Sequence, residues 1–379
     1  MIILICFLVI AVVAYLVIKR YPPLGARASG DARKKIERSP QYHGGKFAYP
    51  IPTSMNLPLK TMLGVMKEML RGSPNRKPSA GAIPMDALDL AALRDGAQKA
   101  IWFGHSAALL QLDGVTLLLD PMFGKAPSPF PWIGGKRYGG KLPLEIEDLP
   151  AIDAIILSHD HYDHLDYGSI RKLRNKAKRF FVPLGVGAHL VRWGIEPDRI
   201  VEADWWEEMT FEGLKLACAP ARHFSGRSVN DRMSTLWCSW VIEGKQAKVF
   251  FSGDSGYGPH FKEIGERYGP FDLTLMECGQ YDVRWQLIHM LPEETVQAHQ
   301  DVGGRVLLPI HWGAFTLSVH DWTDPVERAL RAAEDKGVSI ATPRIGQPIL
   351  IGAIEYPQTK WWKNTVDNYT YRGYIGDRG

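Results

Sequence analysis

Cysteine is scarce in this chain, and its spacing disfavours the sites that cysteine usually builds. The 379 residues include four cysteines, Cys6, Cys218, Cys238 and Cys278, and no two of them form a CxxC pair. A disulfide framework and a cysteine-ligated zinc site are both disfavoured by this pattern, and a reducing compartment fits it better.

A strong excess of positive charge is also missing. The formal net charge is +4, and lysine and arginine form no dense cluster on which a nucleic acid would bind. We therefore expect no nucleic-acid partner, and a nuclease is disfavoured. No repeat with a fixed period of about 20–50 residues is visible, which disfavours a solenoid or a propeller.

One long apolar run stands at the start of the chain. Residues 1–18 are apolar, and the first basic residues are Lys19 and Arg20. A helix of this length, at ~1.5 Å per residue, spans roughly the hydrocarbon core of a bilayer. A cleaved signal peptide would carry basic residues before the apolar run, so we favour an uncleaved single-pass anchor over residues 1–20. Basic residues gather after the run, and the positive-inside rule then places the catalytic domain on the cytoplasmic side of the membrane.

Three further regions follow this transmembrane helix. Residues 21–96 are rich in proline, glycine, serine and arginine, which indicates a connector. Apolar residues at helical spacing predict one amphipathic helix within it, at 57–71. We expect this helix either to dock on the core or to face a membrane beside a lipid entrance. Residues 97–352 are predicted to form the catalytic domain, and residues 353–379 an aromatic C-terminal tail.

Short apolar segments separated by turns fill the predicted catalytic domain. They include AIWFG, VTLLLD, IDAIILS, AKVFFSGD, LTLMECG and RVLLPIH. Helical segments are expected between some of them, at 165–176, 258–267, 292–302 and 325–336. Many strands with interleaved helices predict an α/β sandwich, in which two β-sheets carry helices on their outer faces.

Histidine and aspartate concentrate where one of these strands ends. The stretch LSHDHYDHLD places His159, His161, Asp163 and His164 directly behind the apolar run IDAIIL. Imidazole and carboxylate groups suit zinc and neighbouring divalent metals, and a set this dense exceeds the three protein ligands typical of one catalytic zinc. Two metal ions are the natural interpretation.

Three other strand ends supply further ligand types. They are His223 in PARHFSG, Asp254 in FFSGDSG and His311 in LPIHWG. The carboxyl ends of strands gather in one crevice, so these residues can meet the first cluster. A lone histidine is more often a structural residue, but several buried together without a cation would leave costly unsatisfied groups. The sequence therefore predicts a metal centre with seven ligands: His159, His161, Asp163, His164, His223, Asp254 and His311.

The HxHxDH run and the distant histidine, aspartate and histidine resemble the ligand pattern of the metallo-β-lactamase superfamily. The resemblance implies an αβ/βα sandwich of two mixed sheets and a site for two zinc ions per chain. It implies that one ion is bound by His159, His161 and His223. It implies that the other is bound by Asp163, His164 and His311, with Asp254 bridging the two ions.

Longer segments are similar to the phospholipase D enzymes that hydrolyse N-acylphosphatidylethanolamine. They include FGHSAALLQLDGVTLLLDPMF, LPAIDAIILSHDHYDHLDYGSI, GQYDVRW and IHWGAF, and span roughly residues 97–320. This similarity implies a zinc-dependent phosphodiesterase that cuts a membrane phospholipid with a metal-activated hydroxide. The products would be an N-acylethanolamine and phosphatidic acid.

Two other functions remain open from the sequence. One is a superfamily lactonase or phosphodiesterase acting on a small soluble substrate, which the metal ligands cannot distinguish from a lipid hydrolase. The other is a membrane-anchored scaffold with an inactive hydrolase domain, and the seven intact ligand positions argue against it. A homodimer is the default expectation for the oligomeric state.

A few more residues are candidates for roles at the site. Besides the ligands Asp163 and Asp254, we expect His289 in WQLIHMLPEE to contribute to catalysis by steadying phosphate or protonating the leaving group. The alternative for His289 is a packing or surface role. Asp120 is expected to accept the free N–H of a ligand histidine, and His105 either does similar work or caps a turn. The Trp205–Trp206 pair either lines a lipid groove or belongs to the core.

Overall fold

Two seven-stranded mixed sheets form the body of the chain. The computed structural model describes residues 5–7, 9, 13, 20–53, 57–79, 83–89, 93 and 95–363. Each sheet has a parallel half and an antiparallel half. This is the α/β sandwich that the sequence predicts, with helices outside both sheets.

The first sheet has the strand order β16, β3, β4, β5, β6, β7, β8. Strands β5 to β8 are parallel neighbours, and the other pairs are antiparallel. The strands are β3 (Lys99–Trp102), β4 (Ala108–Leu112), β5 (Val115–Leu119), β6 (Ile152–Ile156), β7 (Ala177–Pro183), β8 (Ile200–Ala203) and β16 (Pro348–Leu350).

The second sheet has the strand order β15, β14, β13, β12, β11, β10, β9. Strands β12 to β15 are parallel neighbours, and β9 to β12 are antiparallel neighbours. The strands are β9 (Glu208–Phe211), β10 (Leu214–Ala219), β11 (Ser239–Glu243), β12 (Lys248–Phe251), β13 (Leu273–Glu277), β14 (Val306–Ile310) and β15 (Ser339–Ile340).

Seven α-helices and one small hairpin accompany the sheets in the described part of the chain. The hairpin pairs β1 (Tyr42–His43) with β2 (Lys46–Phe47). The helices are α1 (Gly30–Glu37), α2 (Leu59–Arg71), α3 (Tyr167–Leu173), α4 (Gly187–Arg192), α5 (His260–Tyr268), α6 (Pro292–Asp301) and α7 (Asp324–Lys336). Helix α2 and helices α3, α5, α6 and α7 occur within a few residues of the segments that the sequence predicts to be helical.

The strands read as continuous apolar runs because both faces of each sheet are covered. In β4, Leu110 and Leu112 point into the core between the sheets, while Leu109 packs under the helices outside. In β14, Leu308 lies in the core between the sheets, and Leu307 packs under the outer helices of the second sheet. Side chains thus alternate between two apolar environments, as the period of a strand requires.

The ends of the chain are partly tied to this body. In the region predicted as a connector, Ile36 and Phe47 are buried in the core between the sheets. In the region predicted as a tail, Trp361 and Trp362 are buried there as well, and the Trp361 ring stacks on Trp312 with centroids 5.4 Å apart. Residues 364–379 lie outside the described part of the chain.

The predicted transmembrane helix and membrane location are corrected by the structure. Among the residues that the structure describes, no helix is long and apolar enough to cross a membrane. A crossing needs about 20 consecutive apolar residues. Of residues 1–20 only 5–7, 9, 13 and 20 are described, so most of the predicted segment lies outside the described residues. For the described residues, the predictions of a single-pass anchor and of a catalytic domain on the cytoplasmic side of a membrane are therefore wrong.

Candidate metal centre

A tight turn after β6 presents the first four predicted ligands. The backbone N–H groups of His164 and Leu165 both donate to the carbonyl of His161, at 3.1 and 2.8 Å. The turn ends where the Asp166 carboxylate accepts a hydrogen bond from the Ser169 N–H and caps α3. Because these hydrogen bonds fix the chain at both ends of the turn, the side chains of the predicted ligands within it lie close together.

The remaining ligands arrive from strands of the second sheet. His223 follows β10, Asp254 follows β12, and His311 follows β14. Strands β10 and β12 run in the same direction because both are antiparallel to β11, and β12 to β14 are parallel. Their carboxyl ends therefore lie at one edge, where the sequence predicts the crevice.

The seven predicted ligands fall into two groups with Asp254 between them. In the first group, His161 Nδ1 lies 2.9 Å from His159 Nε2 and 3.2 Å from His223 Nε2. In the second, Asp163 Oδ2 lies 3.5 Å from His164 Nε2 and 4.0 Å from His311 Nε2. Each group gathers enough ligand atoms to hold a metal ion.

Asp254 faces both groups. Its Oδ2 atom lies 3.1 Å from His164 Nε2, 3.8 Å from His159 Nε2 and 3.7 Å from His223 Nε2. Its Oδ1 atom lies 3.0 Å from His311 Nδ1 but has no hydrogen bond there. The carboxylate thus lies between the two groups of predicted ligands.

Two buried atoms at this point lack a hydrogen bond. They are His164 Nε2 and Asp254 Oδ1. Buried polar atoms without a partner are costly, and a cation between them would remove the cost. The donor set, imidazole nitrogens and carboxylate oxygens, is the one that zinc and related divalent metals prefer. The residues therefore fit a metal centre.

The charge state of the three histidines in the first group also suits metal binding. Burial lowers the pKa of His161 to about 4 and lowers the pKa of His159 and His223 well below the usual value. These rings are neutral near pH 7 and offer a lone pair. Burial also lowers the pKa of His164, but the neighbouring Asp254 and Asp163 carboxylates outweigh it and raise that pKa well above the usual value. Positive charge is thus favoured where the two groups meet.

Two supporting residues contact the ligands as the sequence suggests. The Asp120 carboxylate accepts hydrogen bonds from His164 Nδ1 and the Ser158 N–H, both at 2.7 Å. His105 Nε2 lies 2.9 Å from Asp163 Oδ2. Asp120, His105 and His311 all have positive φ angles, of 37°, 55° and 67°. Such backbone strain in residues other than glycine is typical of functional sites.

A cavity of about 330 Å³ opens onto the metal ligands. His161, Asp163, Asp254, His289 and His311 form its polar floor, and Gln280 and Arg232 contribute further polar groups. Its walls are apolar: Leu57, Phe224, Trp285, Ile288 and Leu317. His289, for which the sequence left a packing role open, thus lines the cavity.

Glu277 is a residue of this site that the sequence analysis missed. Its Oε2 atom lies 2.8 Å from His289 Nδ1, and its Oε1 atom accepts the Met290 N–H at 2.8 Å. Burial raises the pKa of Glu277 well above the usual value. The available signal was its position at the end of LTLMECG, because that strand runs parallel to the strands that present Asp254 and His311.

The tryptophan pair does not belong to the cavity wall. Trp205 is buried in the core between the sheets, and its indole N–H donates to the Trp237 carbonyl at 2.7 Å. Trp206 packs against α5, where the Arg267 guanidinium lies 3.9 Å from its ring centre. Of the two interpretations, the structure supports the core position.

The sandwich and the histidine–aspartate clusters at its edge define a class of protein. Two mixed sheets whose strand ends converge on a metal-binding site are the frame of a metal-dependent hydrolase, and the chain is such a hydrolase.

Comparison with known proteins places this hydrolase in a family. A family model described as a β-lactamase superfamily domain matches residues 116–312, which is more than half of the chain. The chain therefore belongs to the metallo-β-lactamase superfamily, as the ligand pattern suggests.

Relatives over most of the chain include proteins with and without a named activity. An uncharacterised protein of Mycobacterium tuberculosis is 43% identical over 332 residues, which are 86% of this chain and 88% of that protein. An N-acyl-phosphatidylethanolamine-hydrolyzing phospholipase D of Caenorhabditis elegans is 34% identical over 65% of this chain and 74% of its own length. A solved metallo hydrolase of Ignicoccus hospitalis, Igni18, has the same fold, with a TM-score of 0.52 at 20% identity over 67% of this chain and 97% of that one.

Proposed function

We propose that the protein is a phospholipase D that hydrolyses N-acylphosphatidylethanolamine to an N-acylethanolamine and phosphatidic acid. The observation that carries the proposal is a cavity with a metal-binding floor and apolar walls. The floor suits a phosphodiester, and the walls suit acyl chains. The similarity to the C. elegans enzyme supports the same substrate class.

The residues divide the work between two proposed zinc ions. His159, His161 and His223 would hold one ion, and Asp163, His164 and His311 the other, with Asp254 between them. Two such ions lower the pKa of bound water towards ~7 and neutralise charge that develops on a phosphodiester in the transition state. Arg232, a cation that lines the cavity, can pair with a phosphate oxygen. His289 can donate a proton to the departing alcohol.

Helix α2 supports a substrate that resides in a lipid surface. None of its residues is buried, and its apolar side chains Leu59, Met62, Leu63, Met66, Met69 and Leu70 all face solvent, with Leu70 83% exposed. The sequence left two expectations for this helix, and the one in which it docks on the core does not fit its exposure. An apolar face with lysines beside it is typical of helices that lie in a membrane interface.

Contacts connect this helix to the cavity. Leu57, two residues before α2 begins, lines the cavity. The Glu68 carboxylate of α2 binds the Arg284 guanidinium through two hydrogen bonds of 2.9 and 3.1 Å, and Trp285 next to Arg284 lines the cavity. A lipid layer against α2 would therefore lie beside the cavity mouth.

Product analysis tests the proposed reaction. The purified protein is incubated with N-acylphosphatidylethanolamine, phosphatidylcholine and an acyl-lactone, with and without chelator, and the products are identified by mass spectrometry. We expect N-acylethanolamine and phosphatidic acid from the first substrate, in the absence of chelator. Turnover of the lactone alone would contradict the proposal and favour the alternative of a small soluble substrate.

The role of α2 can be tested with charged substitutions. The double substitution Leu63→Glu with Met66→Glu should lower hydrolysis of substrate in vesicles by about tenfold or more, because glutamate opposes insertion of the apolar face. Hydrolysis of a short-chain, monomeric substrate should stay within about twofold. Initial rates on both substrates measure the split.

A matched control uses an exposed apolar residue far from the site. Ile354 is 96% exposed and lies beside Val306, at the opposite end of β14 from His311. Ile354→Glu should leave both rates unchanged. Equal loss on vesicles and on monomeric substrate in the α2 variant would contradict a lipid-docking role.

A further inference from the structure

Hydrogen bonds to both the backbone and the side chain of Glu277 hold this residue in place. It ends β13 and its side chain is inaccessible to solvent. Its backbone N–H donates to Ser252 Oγ at 2.9 Å, and its carbonyl accepts from Thr295 Oγ1 at 2.7 Å. The carboxyl group has little freedom to move, so its two oxygens define fixed positions.

The carboxyl group of Glu277 has backbone partners in Met290 and Ser255 and one side-chain partner in the site, His289. Oε1 accepts the Met290 N–H, which satisfies a buried backbone donor. Oε2 is directed instead to Nδ1 of His289, a ring that lines the cavity. A buried carboxyl group is expensive to maintain, and a neutral acceptor would be enough to satisfy backbone N–H groups.

The ring of His289 is confined by its neighbours. It stacks on His311 with centroids 5.2 Å apart and an interplanar angle of 17°, and it lies edge-on to His223 at 5.0 Å. The residue before it, Ile288, accepts a hydrogen bond from His223 Nδ1 at 2.9 Å. With Nδ1 bound to Glu277, Nε2 is the nitrogen left to act on a substrate.

We propose that Glu277 is a positioning residue that binds Nδ1 of His289 and so directs Nε2 to the leaving oxygen of the phosphodiester. This inference rests on the proposed phospholipase function. When the bond between phosphorus and the ethanolamine oxygen breaks, its electron pair goes to that oxygen, and the Nε2 proton moves there. The proton shared by Glu277 Oε2 and His289 Nδ1 then resides on Nδ1, which leaves a neutral ring and a carboxylate. The water that attacks phosphorus loses one proton, and this proton returns to the Glu277–His289 pair, so that the protons balance over the reaction.

The substitution Glu277→Gln tests the proposal with little change in shape. The glutamine amide can accept the Met290 N–H through its oxygen and donate to His289 Nδ1 through its nitrogen, but it cannot give up a proton to the ring. On N-acylphosphatidylethanolamine we expect kcat to fall about 10- to 100-fold, the range seen for substitutions of outer-shell partners at metal sites, and KM to stay within about twofold. Initial rates over a range of substrate concentrations measure both constants.

A second substrate separates positioning from general damage. Phosphatidyl-p-nitrophenol has a leaving group that departs without a proton, so Glu277→Gln should change its hydrolysis by less than about threefold. Equal losses on both diesters would overturn the proposal. If the unsubstituted protein cleaves neither diester, the proposed function fails, and that result differs from failure of this inference.

A double-mutant cycle gives an independent criterion. If Glu277 acts through His289, Glu277→Gln should cost nothing further in a His289→Ala background. A full additional loss there would overturn the proposal. Glu294→Gln is the matched control, because Glu294 supports the same loop through Gln286 Nε2 and the Leu291 N–H, and it should leave the ratio of the two rates unchanged.

Two measurements that do not depend on activity complete the test. Metal content by elemental analysis and the thermal midpoint should both be nearly unchanged in Glu277→Gln. Loss of metal would assign Glu277 to the metal ligands and overturn a positioning role. Should Glu277→Gln not fold, Glu277→Asp retains the charge but shortens the reach to His289, and the same difference between the two substrates is expected.

Discussion

Asp254→Asn is expected to reduce hydrolysis by more than about 100-fold, beyond the usual cost of losing an outer-shell partner. Asp254 Oδ2 lies within 3.8 Å of ligand nitrogens from both groups, so its substitution affects both groups of predicted ligands. An asparagine amide would place an N–H₂ donor or a weak neutral oxygen at that point. Rates on phosphodiester substrate and metal content per chain measure the effect, and both should fall.

The fold should persist in this variant. The core between the sheets is built from apolar side chains that do not involve Asp254, so the circular dichroism spectrum should be retained. Asp335→Asn makes the same chemical change at an exposed position on α7 and should leave the rates unchanged. A fully active Asp254→Asn protein with its metal retained would refute the bridging role.

Removal of metal is expected to abolish activity and to lower the thermal midpoint by about 5 °C or more. Ligand binding at 100 times its Kd stabilises a folded protein by about 2.7 kcal/mol, and each kcal/mol shifts the midpoint of a large domain by roughly 2–4 °C. Without a cation, His164 Nε2 and Asp254 Oδ1 remain buried without a hydrogen bond, which adds to the loss.

Dialysis against chelator followed by calorimetry and elemental analysis measures this effect. Added Zn²⁺ should restore both activity and midpoint, and parallel additions of Mn²⁺ and Mg²⁺ rank the metals. The magnesium arm serves as the control, because Mg²⁺ prefers oxygen ligands and retains its waters. Full activity in protein shown to be free of metal would exclude a metal-dependent mechanism.

The arrangement of the predicted metal ligands could largely be predicted from the sequence. The ligands stand where apolar runs end, and the carboxyl ends of strands in one sheet meet at one edge. This rule brings His223, Asp254 and His311 to the cluster after β6, as the structure shows. It needs no knowledge of the loops between strands.

Residues defined by loop geometry were harder to predict. Glu277 ends a buried strand, and nothing in LTLMECG shows that its carboxyl group meets His289, twelve residues further along the chain. Whether α2 is buried or exposed was equally open, because an amphipathic pattern is the same for a helix on a core and a helix on a lipid surface.

The first segment of the chain shows the opposite failure. Hydropathy alone predicted a spanning helix for residues 1–20, yet no such span exists among the described residues. Most of this segment lies outside the residues that the structure describes.

The buried Arg227 guanidinium joins distant parts of the chain. Its Nε donates to the Pro23 carbonyl at 2.9 Å, and its Nη1 donates to the carbonyls of Asp160 and Leu165, which flank the ligand turn. A fragment that begins after Pro23 would lose one acceptor of a cation that is 3% exposed. A truncation that removes Pro23 would therefore weaken the support of the ligand turn, although Pro23 lies far ahead of β3 in the sequence.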